Sequence, residues 1–457
     1  MALSPSRLRR SCSLVAGMLL MLGVGSTYAL SAWNAQLKML LHFTQAGIST
    51  VSSMTMLGTY MSYLPGVIFD RLGPSTSLLL SGNIMLLIYL VLFTTLQFAP
   101  EWTSPLSIGC AMMLFGLLSS FCVFSSIVAN ESLWGASNRG KVMAALMSAY
   151  SCGGAFFTFV FHEGFDSSDV PGYFLFVGIY LFVVCVFAWY VFPRPIYGEE
   201  EMSTRERSKS VEIGLCRSET EVREHVYATL NCEKPDDITG VVLLMDMRFW
   251  MLFIPVMIVV GVGLFVMSNV SFIVESLGGQ IQQIPLMVAL FSVANTLGRL
   301  LAGTISDIYR LRYPRAYFAG ISTLLTAVTQ MAFLFVPPNW LVLPVALAGF
   351  SEGVMFGTFP VIIREEFGLH NFGKNFGLLS IANCVGYPLF FGPLASYMYQ
   401  HSAGVRVVDG VEKCFGAQCF AHIFVVAIVL SALSLACCAQ LAQIQRHQLP
   451  FNFQQIQ

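Results

Sequence analysis

The sequence predicts an all-α integral membrane protein with twelve transmembrane helices in two six-helix halves. Three observations lead to this prediction. Hydrophobic residues fill 56% of the 457 positions and charged residues only 11%, with a mean hydropathy of +0.71, whereas soluble domains carry roughly 25% charged residues. Apolar runs long enough to cross a bilayer recur along the chain. Two short motifs also appear twice, at nearly the same offset.

The apolar runs define twelve predicted spans, which we number in chain order. Each is long enough to cross a hydrocarbon core of about 30 Å as a helix. The spans are 14–36, 48–69, 76–98, 105–129, 141–162 and 173–192 in the first half, and 249–272, 283–304, 316–336, 340–363, 375–400 and 420–442 in the second.

One long polar segment separates the two halves. Residues 193–248 hold 20 of the 49 charged residues, so we interpret them as a solvated linker. The predicted organisation is an N-terminal six-helix bundle (1–192), this linker (193–248), and a C-terminal six-helix bundle with a short tail (249–457).

The distribution of positive charge predicts the orientation. With the N-terminus in the cytosol, all Lys and Arg residues except Lys38, Arg406 and Lys413 fall in cytosolic segments or at cytosolic helix ends, as the positive-inside rule requires. Both termini and the linker are then cytosolic. We expect a multi-pass protein of the plasma membrane rather than of an organelle membrane.

The two halves share a repeat. A Gly-x-x-x-Asp motif closes span 2 at 66–70 and recurs at the end of span 8 at 303–307, 237 residues later. An Asn-x-Gly-Lys motif opens span 5 at 138–141 and span 11 at 371–374, an offset of 233. Duplicated bundles of this kind hold their ligand at the interface between the halves.

At these residues the sequence resembles the major facilitator superfamily. That family carries Gly-x-x-x-Asp-Arg-x-Gly in the loop after span 2, matched here by Gly66, Asp70, Arg71 and Gly73. The basic residues that usually follow are replaced by Pro74 and Ser75. The resemblance implies the major facilitator fold, in which two six-helix pseudo-repeat bundles move a small solute by alternating access.

More narrowly, the chain is similar to the nodulin-like transporters, relatives of the monocarboxylate and oxalate/formate carriers. The similar stretches are 25–31, 37–38, Gln45, 246–250, 275–278, 295–299, 366–373 and 379–383. They lie in both halves, outside most of the linker. This resemblance implies a small organic anion, such as a monocarboxylate, as the substrate.

The repeated Gly-x-x-x-Asp motifs predict a conformational latch. Asp70 and Asp307 end helices at the membrane surface, where a carboxylate can cap a neighbouring helix or pair with Arg71 or Arg310. The alternative is that these are solvated turn residues. The predicted latch residues are Gly66, Asp70, Arg71, Gly73, Gly303, Asp307 and Arg310.

Arg299 lies eight residues before Asp307, which is about 12 Å deeper along a helix. A permanent charge at that depth must face a cavity or a partner. In the carboxylate carriers that the chain resembles, an arginine at the matching position holds the substrate carboxylate. The alternative is that Arg299 snorkels to the surface or pairs with the latch around Asp307.

Glu352 is the carboxylate that falls well inside a span, span 10. Low dielectric favours its protonated form, which would suit proton coupling. The alternatives are a salt bridge to Arg299 or a buried neutral acid without a coupling role.

Further candidates lie on spans that line the cavity of this fold. The substrate-binding candidates besides Arg299 are Tyr28, Asn34, Asn295, Asn383 and Tyr387. Cys414 and Cys419 share the predicted exoplasmic loop, where either a disulfide or two free thiols would be compatible with the sequence.

The leading hypothesis is a secondary transporter. The alternative is a receptor with a transporter fold that signals through the linker. We find neither a metal-ligand cluster nor a Ser/His/Asp set, so we expect no enzyme activity, no metal and no cofactor. A net charge of −1 argues against nucleic acid as a partner. The expected partners are the lipid bilayer, a small-molecule substrate and H+; a monomer is compatible with the sequence.

Overall fold

The computed structural model describes residues 5–43, 45–135, 138–165, 169–193, 238–310, 312–368, 370–408 and 411–447. Most of the predicted linker, residues 194–237, lies outside the described residues. Helices account for nearly all of the described chain, because a helix satisfies its own backbone N–H and C=O groups where no water is available.

The described first half consists of helices with short connections. They are α1 (Pro5–Val24), α2 (Leu30–Leu41), α3 (Gln45–Tyr60), α4 (Tyr63–Phe98), α5 (Pro105–Trp134), α6 (Arg139–Gly164) and α7 (Val170–Val191). A 3-10 turn, Gly25–Ala29, joins α1 to α2. The predicted span 1 is therefore bent rather than one straight helix.

The described second half is built in the same way. Its helices are α8 (Val241–Met245), α9 (Met247–Ser276), α10 (Ile284–Tyr309), α11 (Ala316–Phe335), α12 (Val342–Phe367), α13 (Phe372–Cys384), α14 (Gly392–Gln400) and α15 (Ala421–His447). A π-helical turn, Val385–Phe391, links α13 to α14 within span 11. The end of the predicted linker is already helical, since it contains α8 and the start of α9. The Asp246 side chain caps α9 by accepting a hydrogen bond from the Arg248 N–H.

Eleven helices of the described chain are long and apolar enough to cross a membrane. Span 2, predicted at 48–69, is interrupted, because α3 ends at Tyr60 and the helix resumes at Tyr63 in α4. Pro65 explains the break, because it has no N–H and its ring clashes with the carbonyl four residues earlier, that of Met61.

The end of span 2 and the whole of span 3 lie in α4, which turns sharply at Gly73. This residue has φ 75° and ψ 170°, non-helical values in the region that glycine tolerates best. Pro74 follows directly and restarts the helix. The predicted latch position Gly73 is thus required by backbone conformation.

Each half packs as a bundle, and the two halves meet through helices that the repeat relates. Within the first half α1 contacts α5, α6 and α7, and within the second half α10 contacts α12 while α11 contacts α15. Between the halves α6 packs against α10, and α4 packs against α13. These are spans 5 and 8, and spans 2 and 11, so the interface has approximate two-fold symmetry.

A small antiparallel hairpin follows α14. Its strands are β1 (Val405–Val408) and β2 (Val411–Cys414), with Val405 paired to Cys414. A disulfide joins Cys414 to Cys419, whose Cα atoms lie 5.9 Å apart. We call this end of the molecule the hairpin side. The opposite end, where the described chain stops at 193 and resumes at 238, is the linker side.

Candidate functional site

A cavity of about 60 Å³ lies between the two halves. Its polar wall combines residues from both. The first half contributes Tyr28, Thr59, Tyr60, Ser62, Ser119, Ser120 and Tyr150, and the second half contributes Arg299, Ser380 and Asn383 together with Phe356, Phe359 and Phe376. This volume is well below the roughly 300–1,000 Å³ of typical ligand pockets.

Arg299 places a permanent positive charge on the cavity wall. Its side chain is 2% exposed. Nε donates to Oδ1 of Asn295 (2.7 Å), and Nη1 donates to the backbone oxygen of Met147 on α6, in the other half (2.8 Å). The guanidinium also lies 4.3 Å from the centroid of the Phe356 ring. The amide of Asn295, the carbonyl of Met147 and the ring face of Phe356 stabilise the buried charge. Because Met147 belongs to the other half, Arg299 also connects the two halves at the cavity.

Asn295 lies between Arg299 and Glu352. While its Oδ1 accepts from Arg299, its Nδ2 donates to Oε2 of Glu352 (3.2 Å). Ser151 of α6 donates to the same Oδ1 (3.1 Å). Glu352 is 3% exposed. A buried cation and a buried acid are thus connected through one amide, next to the interface between the halves.

A stripe of glycines brings α12 close enough to α10 for these contacts. Gly349, Gly353 and Gly357 recur every four residues, and a Cβ at each would collide with a backbone oxygen of α10. Small residues at this spacing let membrane helices approach closely. Gly263 of α9 makes room on the other flank, because a Cβ there would come within 2.8 Å of Oε2 of Glu352.

Three tyrosines belong to the part of the wall that the first half contributes. The hydroxyl of Tyr28 lies 3.4 Å from that of Tyr60, and its ring contacts Tyr150 edge-on with centroids 5.3 Å apart. The 3-10 turn that carries Tyr28 fits because Gly25 lies directly against the backbone of Tyr150. The bend in span 1 thereby directs Tyr28 to the cavity.

The structure brings most of the predicted binding residues together. Arg299, Tyr28 and Asn383 line the cavity. Asn295 lies outside the lining and accepts a hydrogen bond from Arg299. Tyr387 lies in the π-helical turn and packs with the apolar core of the second half, outside the cavity lining. Asn34 belongs to α2, but its side chain lies outside the described residues.

Several wall residues were not predicted from the sequence. Among them are Tyr60, Tyr150, Ser119, Ser120, Ser380 and Phe356. Hydroxyl and aromatic side chains are frequent in every span, so sequence alone does not show which of them point inward. The one available sequence signal was the four-residue spacing of glycines on α12, which indicates close packing of that helix at the site.

On the linker side, the two predicted latch carboxylates join the halves by hydrogen bonds. The Asp307 carboxylate accepts from the backbone N–H groups of Gly140 (2.9 Å) and Lys141 (2.8 Å), at the start of α6. Asp70 accepts in the same way from Gly373 (3.0 Å) and Lys374 (2.8 Å), at the start of α13. Each carboxylate meets the positive end of a helix in the opposite half. The two latches thus join the halves in both directions.

Glycines allow the latched helices to touch. A Cβ at Gly66 would overlap the carbonyl oxygen of Gly373, and one at Gly303 would overlap Ala144 and the carbonyl oxygen of Gly140. Both positions belong to the repeated Gly-x-x-x-Asp motif. The motif therefore combines a close approach with a cap four residues further on.

The two latches differ in their arginines. Arg315 donates from Nη2 to Asp307 (2.7 Å) and from Nε to Glu365 (2.8 Å), and it is 3% exposed. Arg315 was not among the predicted latch residues, which included Arg310, the residue that follows α10. Arg71, named for the other latch, is exposed.

Ion pairs between the halves extend this closure. Glu131 of α5 pairs with Arg139 within its own half (2.6 Å) and with Arg364 of α12 across the interface (2.9 Å). Arg139 in turn reaches Glu365 (3.4 Å), the same carboxylate that Arg315 contacts. Together with the hydrogen bonds of Asp70 and Asp307, this network joins the two halves on the linker side.

Two pseudo-repeated helix bundles, latched to each other around a polar cavity, define a membrane transporter of the major facilitator fold. Solved structures agree. The human organic anion transporter MFSD10 (TETRAN) superposes with a TM-score of 0.63 over 95% of this chain and 100% of that one, at 14% identity. The proton:xylose symporter XylE gives 0.64 over 94% and 95%, also at 14% identity. These identities support the fold alone.

Sequence comparison defines the family. The Major Facilitator Superfamily model matches residues 251–447, and the Nodulin-like model matches residues 10–260, more than half of the chain. The chain therefore belongs to the nodulin-like family of major facilitator transporters.

Curated relatives carry transporter names. The "Probable transporter mch1" of Aspergillus fumigatus is 23% identical over an alignment 516 residues long, which covers 90% of this chain and 82% of that protein. The "Uncharacterized MFS-type transporter YhjX" of Escherichia coli is 23% identical over 391 residues, covering 84% and 88%.

Proposed function

We propose that the protein is a secondary transporter that moves a small organic anion together with a proton by alternating access. The observation that carries this proposal is Arg299, a buried permanent cation on the wall of the cavity between the halves. A guanidinium can hold a carboxylate by two parallel hydrogen bonds. Among the structural neighbours, the one described as an organic anion transporter shows that this fold can host such a substrate.

Charge balance around Arg299 supports coupling to a proton. With Glu352 ionised, its negative charge compensates Arg299 through Asn295 while the site is empty. An anion that binds Arg299 would add a second negative charge, which is costly in low dielectric. Protonation of Glu352 removes that cost. Substrate and proton are then bound together and released together.

Asn383 supports a second contact to the substrate. Its side chain is 2% exposed and lines the cavity, and its Oδ1 has no hydrogen-bond partner among the described residues. A buried acceptor without a partner favours a ligand that supplies a donor. We therefore favour an organic acid that also carries a hydroxyl or amino group.

The latches supply the conformational step. Because they close the linker side, opening toward that side requires release of the caps at Asp70 and Asp307. We assign the linker side to the cytosol from the distribution of Lys and Arg, and we place the protein in the plasma membrane.

Uptake by purified protein in liposomes tests this function. A proton gradient directed into the liposomes should drive accumulation of a hydroxy-carboxylate or a monocarboxylate. Unlabelled substrate inside the liposomes should accelerate the uptake of labelled substrate by exchange. Saturable binding without flux in either assay would favour the receptor alternative instead. Uptake of neutral sugars alone would contradict the role assigned to Arg299.

A further inference from the structure

The amide of Asn295 is held by two donors that meet at the same oxygen. Its Oδ1 accepts from Nε of Arg299 (2.7 Å) and from the hydroxyl of Ser151 (3.1 Å), while its Nδ2 donates to Oε2 of Glu352 (3.2 Å). The two ends of an amide differ, because the oxygen only accepts and the nitrogen only donates. If the amide were turned over, its N–H groups would face both donors. The two donors therefore determine which end of the amide reaches Glu352.

Ser151 has one hydroxyl hydrogen and two acceptors within reach. Oδ1 of Asn295 lies 3.1 Å from its Oγ, and the backbone oxygen of Met147 lies 3.4 Å away. That backbone oxygen already accepts from Nη1 of Arg299 (2.8 Å). If the hydroxyl donated to Met147, the lone pairs of Ser151 would face those of Oδ1. The hydrogen therefore points to Asn295, and Ser151 is a donor to the amide.

The two donors differ in what can displace them. Arg299 is the residue to which we assign the substrate anion, so its hydrogen bond to Asn295 competes with the substrate. Ser151 lies on α6, in the opposite half, and it does not belong to the lining of the cavity. Its hydrogen bond to Asn295 can therefore persist while a substrate occupies Arg299.

We propose that Ser151 is a positioning residue for proton coupling, which keeps the Asn295 amide directed at Glu352 from the opposite half of the molecule. This inference rests on the proposed function, in which Glu352 carries the coupled proton. A hydrogen bond donated to an ionised carboxylate favours the ionised form. A donor at Oδ1 strengthens the donor at the other end of the amide. Ser151 thus acts on Glu352 through Asn295.

The same helix pair carries one of the linker-side latches. On α6, Ser151 follows Lys141 by ten residues, or about 15 Å. Their partners on α10 follow in the opposite order, since Lys141 contacts Asp307 and Ser151 contacts Asn295. Separation of α6 from α10 along this length would break both contacts. The amide therefore keeps its second donor only while the two helices stay packed.

The other titratable groups near Glu352 are an arginine and tyrosines. Arg299 on α10 interacts with its charge, as do Tyr28 and Tyr60 from the first half. From α6, Tyr150 contacts the ring of Tyr28. The neighbouring helices α9, α11 and α13 have no titratable side chain over the segments 249–274, 318–335 and 375–383. Because tyrosine and arginine titrate far above the range of a carboxyl, a carboxyl signal from this site reports Glu352.

Infrared titration of the purified full-length protein tests this role without a substrate. The protonated carboxyl of Glu352 is the acid band that is lost in Glu352→Gln. In Ser151→Ala the midpoint at which this band appears should move to higher pH by about half a unit, or about threefold in proton affinity, because the hydrogen bond to the ionised form is weakened. The matched control is Ser148→Ala, since the Ser148 hydroxyl donates to the backbone oxygen of Thr296 (3.4 Å) on the same helix pair. Its midpoint should equal that of the wild type.

Two further variants separate positioning from packing. Ser151→Thr keeps the hydroxyl, so its midpoint should return toward the wild-type value. Ser151→Cys keeps the volume but offers a weak donor, and it should shift the midpoint in the same direction as Ser151→Ala. This variant also covers the case in which Ser151→Ala does not fold.

The outcomes distinguish this inference from the proposed function. A wild-type midpoint in Ser151→Ala and Ser151→Cys, or an equal shift in Ser148→Ala, would overturn the role of Ser151 and leave proton coupling at Glu352 intact. An equal shift in Ser151→Thr would also overturn it, because the hydroxyl would then not be the group that matters. If no acid band depends on Glu352, proton coupling at this residue is contradicted, and the role of Ser151 with it.

Discussion

The carboxylate of Asp307 accepts a 2.8 Å hydrogen bond from the backbone N–H of Lys141, 166 residues earlier in the chain and in the opposite half. Asp70 and Lys374 repeat this contact at the same distance with the halves exchanged. Each contact joins a Gly-x-x-x-Asp motif to an Asn-x-Gly-Lys motif. The duplicated motifs are therefore two parts of the same latch, built twice.

The first prediction concerns the strength of the two latches. Asp70→Asn weakens hydrogen bonds to a charged acceptor. It should therefore lower the free energy of unfolding by roughly 1.5–3 kcal/mol. Asp307→Asn should lower the free energy of unfolding by more, because it also removes the charged partner of Arg315. The loss should approach the roughly 3–5 kcal/mol that follows when a buried ion pair loses one partner. Tm of the purified variants measures the difference.

Asp169→Asn is the matched control for this comparison. Asp169 is an exposed carboxylate that caps α7 within its own half, through the N–H of Gly172. Its replacement should leave Tm nearly unchanged. Equal losses at Asp70 and Asp307 would show that Arg315 adds nothing to the second latch.

The second prediction concerns the close approach at the latches. Gly66→Ala and Gly303→Ala should each reduce the transport rate about tenfold or more, an increase in barrier of about 1.4 kcal/mol, because the added Cβ meets backbone atoms of the opposite half. The linker side then cannot close. Initial uptake rates in liposomes, at matched amounts of protein, provide the measurement.

Gly164→Ala serves as its control, since a Cβ there meets only a side-chain atom of Val160 at 4.0 Å. Normal uptake by Gly66→Ala would mean that the helices can separate at this point without loss of function.

The spans were predictable from sequence because continuous apolar segments have few alternatives in a membrane. The break at Met61 was predictable in principle from Pro65, but hydropathy averaged over a span does not register a single proline. The choice of Arg315 as partner of Asp307 was not predictable. Arg310, Arg312 and Arg315 share one short loop, and the packing of α11 brings Arg315 to the carboxylate.

The site was partly predictable, since a charged residue inside an apolar span is rare and indicates a functional position. Arg299 and Glu352 were found in this way. Tyr60 and Tyr150 were not, because the chain contains 16 tyrosines and their sequence context does not show which ones face the cavity. The contact of Asn295 with both charged groups depends on how closely α10 approaches α12, which is a three-dimensional property.

The orientation gives a third prediction. A cysteine introduced at Ser208, in a background without the other reactive cysteines, should resist an impermeant thiol reagent in intact cells and react after permeabilisation. Ser208 lies outside the described residues, so the expectation rests on the bias of Lys and Arg alone. Labelling in intact cells that display the protein at their surface would reverse the assignment.

The fourth prediction assigns proton coupling to Glu352. Glu352→Gln keeps an oxygen that can accept from Asn295 but removes the titratable proton. Accumulation driven by a pH gradient should therefore be lost, while exchange of substrate for substrate continues. Both are measured in the same liposomes. If accumulation keeps its full pH dependence, Glu352 is structural and another group carries the proton.

The last prediction is that Arg299 holds an anionic group of the substrate. Its Nε and Nη1 donate in two directions, to Asn295 and to the Met147 carbonyl. Lysine keeps the charge but cannot reproduce this fork. Arg299→Lys should therefore weaken substrate binding about tenfold or more, or about 1.4 kcal/mol, while the protein remains folded in the membrane.

A purely structural role for Arg299 would produce the reverse pattern. Loss of the Met147 contact and of the packing on Phe356 would then lower Tm or the folded yield, and the surviving protein would bind substrate normally. Tm and Kd measured on the same purified Arg299→Lys sample separate the two roles, because each role changes a different quantity. An unchanged Kd would remove Arg299 from the substrate site, and with it the argument from charge balance that links Glu352 to the bound anion.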